Sequence, residues 1–282
     1  MWDRNYLLSI TEFLEGKNSV RLLEEAFCKV DPERRSKAER MRTDRGKAAC
    51  LGAGLLLQLA VREAERDCGS AGYREVPEKG VPEEKHSEGV LPQQRMAEGS
   101  HSKSDLQTQE MAEDNGRRQV TQEAECGLHR YSVSWLLEKI SHPIPLAYQY
   151  VKNGKPYFRD YPFYFNLSHS GDYVFCVLSL SEVGADIQQQ SNKDNERLAE
   201  RFFSAQEIAA LQGCKEEKNV LFYQLWTRKE AYGKLTGEGI ASTMSINFLP
   251  GAEQVDGRKL VWEEYSEIAG YQLAVCRYAA HL

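Results

Sequence analysis

A chain of 282 residues, 41% hydrophobic and 28% charged, has the make-up of an ordinary globular protein, with room for one large domain or two modest ones. Its net charge of −6 excludes nucleic-acid binding by the molecule as a whole, and no run of about 18 apolar residues is present to span a bilayer. Seven scattered cysteines without a CxxC argue against a disulfide framework or a zinc site and for reduced thiols in a cytoplasm. The opening MWDRNYLLSITEF lacks the basic-then-apolar pattern of a signal peptide and reads as structure, with a short strand at Tyr6–Thr11. Ser19–Lys29 has helical spacing. Asp31-Pro32 reads as N-cap and first residue of a second helix, PERRSKAERMR. Residues 32–47 hold Arg34, Arg35, Lys37, Arg40, Arg42, Arg45 and Lys47 against Glu33, Glu39 and Asp44, a local positive patch in an acidic protein. Asp44 is expected to cap a third, apolar helix.

From about Arg66 to Gly127 the composition shifts to Glu, Gln, Ser, Gly and Lys, with Tyr73 the one aromatic. Such a segment cannot bury enough apolar surface to offset about 1–2 kcal/mol of backbone entropy per residue. It reads as a mostly disordered insertion, the alternative being a loose solvated helix over Asp105–Asn115. Beyond it, Ser134–Ile140 is a short helix, and Asn153-Gly154 is a turn into an extended segment. Strands are expected at Phe163–Leu167, Tyr173–Leu180 and Val183–Gln188, the last two as a hairpin around Ser181-Glu182. Ser204 and Glu207 form a capping box opening the helix SAQEIAAL. Lys218–Leu235 is a longer helix ending at Gly237, and two strands follow, Ser245–Phe248 and Tyr271–Tyr278. The pattern is α+β with mainly antiparallel strands.

Three polar clusters stand out. One is Asn166–Asp172 (NLSHSGD), directly after a strand. Another is Asp186, an aspartate among the apolar Val183, Ala185 and Ile187 of a strand, where aspartate is depleted. The third is the helix face of Trp226, Glu230 and Lys234. Each has a plain structural reading: turn chemistry around His169, a hairpin or capping role for Asp186, and a solvated i, i+4 ion pair worth a few tenths of a kcal/mol for Glu230 and Lys234. Trp226, Tyr232 and Leu235 read more readily as core than as ligand contacts.

In combination the clusters say more. Phe165-Asn166-Leu167-Ser168-His169-Ser170, Val183-Gly184-Ala185-Asp186 and Trp226-Thr227-Arg228-Lys229-Glu230-Ala231-Tyr232-Gly233-Lys234 occur in that order. Gly154-Lys155-Pro156 and Arg201-Phe202-Phe203-Ser204 add two further features. The set resembles the 4′-phosphopantetheinyl transferase superfamily, in its surfactin-type branch of two pseudo-repeated halves. That resemblance implies two similar α+β halves related by a pseudo-twofold, each with a small mainly antiparallel sheet packed on helices. The N-terminal half is then 1–181, with 66–127 looping out, and the C-terminal half is 182–282, carrying the metal and catalytic residues.

The implied reaction moves the phosphopantetheine arm of coenzyme A onto a serine of an apo acyl or peptidyl carrier protein and releases adenosine 3′,5′-bisphosphate. The implied cofactor is Mg²⁺, held by Asp186 and Glu230. Gln188 stands where the family has a second strand carboxylate and brings no charge, so weaker metal binding is expected. Without the metal the two carboxylates repel, and one pKa rises. By resemblance Glu230 also removes the serine proton, and Lys234 neutralises or protonates the leaving phosphate. Arg34, Lys37, Lys155, Ser168 and His169 match coenzyme A contacts. Lys47 is a further match whose neighbours Ala48-Ala49 depart from the usual pattern. One chain supplies both halves, so a monomer suffices, with neither nucleic acid nor membrane as partner. A coenzyme A- or carrier-binding homologue with weak or lost catalysis is the alternative, and no motif marks which carrier is read.

Overall fold

A computed structural model of the chain describes residues 3–69, 127–151, 153–191 and 195–280. The first strand, β1 (Asp3–Ser9), buries Tyr6, Leu7 and Leu8. After α1 (Thr11–Leu14) and α2 (Ser19–Lys29) comes the basic helix α3 (Pro32–Glu39), which starts as expected: Pro32 occupies its first turn and the Asp31 carboxylate accepts the Arg34 backbone N–H at 2.9 Å. The long apolar helix α4 (Asp44–Gly69) differs at both ends from the sequence reading. Its cap is Thr43, whose Oγ1 accepts the Gly46 N–H at 3.1 Å, and Asp44 is the first helical residue. At its far end the helix carries on through 66–69, where the insertion was expected to begin. The rest of that insertion, with the alternative helix over 105–115, lies outside the described residues.

β2 (Leu128–Tyr131) pairs in parallel with β1, and α5 (Val133–Lys139) follows, capped by Ser132. β3 (Tyr148–Tyr150) and β4 (Pro156–Phe158) form a small hairpin. Its turn includes Gly154, whose φ of +82° suits glycine. β5 (Tyr164–Ser170) and β6 (Tyr173–Ser179) are antiparallel neighbours, and β1 lies along the other edge of β6. Among the described residues the first sheet runs β2-β1-β6-β5, with α4 packed across it.

β7 (Val183–Gln189) begins a second sheet. It is followed by α6 (Glu196–Phe202), α7 (Ala205–Gly213) and α8 (Lys218–Thr236), then a 3₁₀ turn at Ile240–Thr243. The expected capping box of Ser204 and Glu207 opens α7, and Gly237 ends α8 at φ +78°. β8 (Gln254–Val255), β9 (Arg258–Tyr265) and β10 (Tyr271–Tyr278) complete the order β7-β10-β9-β8. Among the described residues no helix is long and apolar enough to cross a membrane.

Two strand expectations are corrected. β6 and β7 do not pair as a hairpin: both edges of β6 are taken by β1 and β5, so Ser181-Glu182 carries the chain across to the second sheet, where β7 pairs with β10. Ser245–Phe248 is not a strand either. The Phe248 N–H is taken by the Glu207 carboxylate at 2.9 Å, and its ring is buried beside Tyr232 and Trp262. The strands that follow it are β8 and β9.

The second sheet lies on α8 at very short range. A Cβ at Gly184 would sit 2.0 Å from the Ala231 carbonyl oxygen and 2.4 Å from the Leu235 nitrogen. Both are helix backbone and cannot rotate away, so any side chain there pushes strand and helix apart. Gly184→Ala is expected to destabilise the protein by about 3 kcal/mol, at the upper end for overpacking. Chemical denaturation checks this, and an unchanged midpoint contradicts it.

Candidate active site

The two sheets meet along β5 and β7, and the join is made by side chains. Alternate residues of β5 turn the same way, and three of them accept backbone N–H groups of β7. Asn166 Oδ1 takes Ala185 N (3.1 Å), Ser168 Oγ takes Ile187 N (3.4 Å) and Ser170 Oγ takes Gln189 N (2.9 Å). Every contact spans 19 residues, so the strands run in the same direction. β7 thus has a ladder partner on one edge, β10, and polar side chains on the other.

This seam holds Asp186, which is 1% exposed. Its Oδ1 accepts Ser168 Oγ at 2.7 Å and the Lys234 ammonium at 2.6 Å, and Lys234 also donates to Ser168 Oγ at 2.9 Å. Gln188 donates its amide N–H to Asp186 Oδ2 at 3.2 Å. The expected trio on α8 divides. Trp226 packs on Phe202 and Phe222 as core, while Glu230 and Lys234 face Asp186. Among the described residues no hydrogen bond reaches the half-buried Glu230 carboxylate. Burial first, and the Asp186 charge second, push its pKa up, with Lys234 acting the other way.

A cleft of about 470 Å³ opens beside this cluster. Arg34, Lys37, Lys155, Ser168, His169 and Lys234 line it, and among the described residues no acidic side chain does. Four cations and no carboxylate make a wall for an anion. Arg34 comes from the first turn of α3, beside Asp31, Tyr148 and Cys50. His169 is exposed to the cleft yet crowded by protein. Desolvation, then Lys234 and Lys37, push its pKa down, with Asp186 opposing. It is therefore a neutral donor or acceptor near pH 7. Lys155 points its ammonium at two backbone carbonyls, Leu235 O (2.8 Å) and Val183 O (3.3 Å). Lys47 is not part of the lining, although Gly46 is.

Among the described residues no three His, Cys, Asp or Glu side chains gather as a ready metal cage. The donors at hand are the Asp186 and Glu230 carboxylates and the amide oxygen of Gln188. Hard oxygens with one or two carboxylates fit Mg²⁺, which keeps waters and takes substrate phosphates as its remaining ligands.

Two contributions escape a reading by residue type. Asn166 and Ser170 sit in a quoted stretch, but nothing in it signals that they satisfy the backbone of another strand. Lys229, next to Glu230, is fully buried against Glu207 (2.9 Å) and donates to the Thr243 and Ile246 carbonyls, each at 2.9 Å. Its adjacency to Glu230 is the available signal, and it does not reveal the burial.

Residues 182–276 match the model of the 4′-phosphopantetheinyl transferase superfamily. The chain is 40% identical over 136 residues to the 4′-phosphopantetheinyl transferase psf-1 of Bacillus pumilus, covering 44% of this chain and 57% of that protein. It is 38% identical over 143 residues to the 4′-phosphopantetheinyl transferase AcpT of Salmonella typhi, covering 47% and 73%. With the 4′-phosphopantetheinyl transferase Sfp of Bacillus subtilis it shares 34% over 138 residues, covering 45% and 60%. The chain spans about half the length of the first curated relatives it matches.

The raised pKa of Glu230 has a consequence for stability. The folded chain holds this proton more tightly than the unfolded chain does. That contribution is fully present below the unfolded carboxylate pKa and is lost as pH rises through the folded value. Glu230→Gln removes the buried charge and with it the loss. With metal chelated, the variant should melt at or above the wild-type temperature at about pH 8, and the difference should close near pH 4. Calorimetry across that range checks it, and a variant melting clearly lower at pH 8 contradicts it.

Proposed function

Because the chain belongs to the 4′-phosphopantetheinyl transferase superfamily, we propose that it transfers the phosphopantetheine arm of coenzyme A to a serine of an apo carrier protein, releasing adenosine 3′,5′-bisphosphate. The observation that carries the proposal is the wall of four cations leading directly to the buried Asp186, with Glu230 at its side. Coenzyme A is polyanionic, and the charged side chains that line the cleft are all of the opposite sign. Arg34, Lys37, Ser168 and His169 bind its phosphates.

The serine oxygen forms a bond to the phosphorus that carries the pantetheine arm, and the pyrophosphate bond to the adenosine side breaks. Glu230 takes the serine proton, directly or through a water. Burial raises its pKa and so makes it a stronger base than an exposed carboxylate, while a cation beside it lowers the pKa and favours the ionised form that can accept the proton. Lys234 moves its donor from Asp186 to the leaving phosphate, a task that suits a movable ammonium. Asp186 and Glu230, with Gln188 as a neutral donor, would hold Mg²⁺, which supplies charge neutralisation to the pyrophosphate.

A pseudo-twofold relating 1–181 to 182–282 accounts for the matching strand orders. β1-β6-β5 with α4 corresponds to β7-β10-β9 with α8, and the division falls at Ser181-Glu182. One chain then supplies the whole site, and the protein works as a monomer.

Gln188 favours one other reading, a binding homologue with little turnover, since it replaces a charge with an amide. Incubation with coenzyme A, Mg²⁺ and a panel of apo carriers, read by mass spectrometry, separates the two. The transferase adds the arm to at least one carrier, whereas binding to coenzyme A without any mass gain supports the homologue. Glu230→Gln should lower kcat by about 10²–10⁴-fold, the range for a positioned base. Gln188→Glu should lower the Mg²⁺ concentration needed for half-maximal rate, and an unchanged requirement puts Gln188 outside the coordination shell.

A further inference from the structure

Lys155 lies between β3 and β4, yet its bonds are made to the second sheet and the helix packed on it. Its stem runs along Gly237: a Cβ at that glycine would meet Lys155 Cβ at 3.7 Å and Cδ at 3.8 Å. Its ammonium then donates to Leu235 O at 2.8 Å, in the last turn of α8, and to Val183 O at 3.3 Å, the first residue of β7. The last carbonyls of a helix have no partner inside it, and they carry the negative end of the helix dipole. A cation delivered from elsewhere in the chain satisfies both needs. The two carbonyls also have telling addresses. Leu235 follows Lys234, and Val183 stands three residues before Asp186, so the ammonium spans the backbones that present the two members of the Lys234–Asp186 ion pair. Desolvation lowers the Lys155 pKa to about 8, with Glu182 opposing. Even the neutral amine keeps two donors for two acceptors.

We propose that Lys155 is a positioning residue: a clamp from the β3–β4 turn that ties the end of α8 to the start of β7 and so sets Lys234 against Asp186. This goes beyond a coenzyme A contact, and only its kinetic arm rests on the transferase reading. Lys155→Met keeps the stem and removes the donors. Hydrogen–deuterium exchange over residues 233–240 should quicken by about tenfold, the loss of one hydrogen bond to a charged group. Because Lys155 also lines the cleft, calorimetry should find coenzyme A binding somewhat weaker, while kcat falls by a clearly larger factor than the affinity does. Lys155→Arg, which keeps donors, should restore part of the protection. Unchanged exchange over 233–240, with coenzyme A binding weakened tenfold or more, overturns the clamp and makes Lys155 a ligand contact. If Lys155→Met does not fold, Lys155→Gln against Lys155→Arg carries the same comparison. A wild-type chain that modifies no carrier refutes the transferase reading, and the exchange arm still decides the clamp.

Discussion

The seam between β5 and β7 is the constraint on which the site depends. Two sheets meet there edge to edge without a ladder. Three side chains, Asn166, Ser168 and Ser170, take the backbone N–H groups that a strand partner would have taken. A typical hydrogen bond contributes about 1 kcal/mol net, but a buried group left without one costs about 1–3 kcal/mol. The seam is therefore held less by what it gains than by what any slip would leave unpaired. A one-residue shift of β5 would turn Phe165 and Leu167 toward β7 and strand the N–H groups. Ser168 couples this backbone role to the polar cluster, since the same hydroxyl also touches Asp186 and Lys234.

Helix α8 carries two jobs on different faces. Arg228 pairs with Glu264 and donates to the Phe248 carbonyl, and Lys229 is sealed against Glu207. Removing one member of such a buried pair leaves an uncompensated charge. These residues lock α8 to α7, to β9 and to the segment that follows α8. Glu230 and Lys234 face the other way, toward β7, and the absence of a side chain at Gly184 brings that face within reach of Asp186. The run of charges in TRKEAYGK is thus part scaffold and part site, and no residue in it is an idle surface charge.

How far these features could be read from residues alone varies with range. The Asp31-Pro32 start, the Ser204–Glu207 box and the Gly237 stop were legible because each is settled by contacts within four residues. A two-residue link suggests a β6–β7 hairpin, but β6 already has β5 on one edge and takes its other partner, β1, from far away in the chain, as β7 does with β10. The segment 245–248 looked extended and apolar, and its outcome turned on a carboxylate from α7 that no local pattern reveals.

By itself the sequence determined the order and chemistry of the functional groups: a basic α3, a serine–histidine strand, an aspartate in an apolar strand, and a glutamate and lysine one turn apart. Those follow from residue types at fixed short spacings, which survive any arrangement of the rest. Only the tertiary structure decided that Lys234 lies on Asp186, that Lys155 reaches two carbonyls of the second sheet and its helix, and that Lys229 is interior while Glu230 is not. These are long-range choices, made when buried polar groups had to find partners across the seam, and the partners are separated by tens of residues.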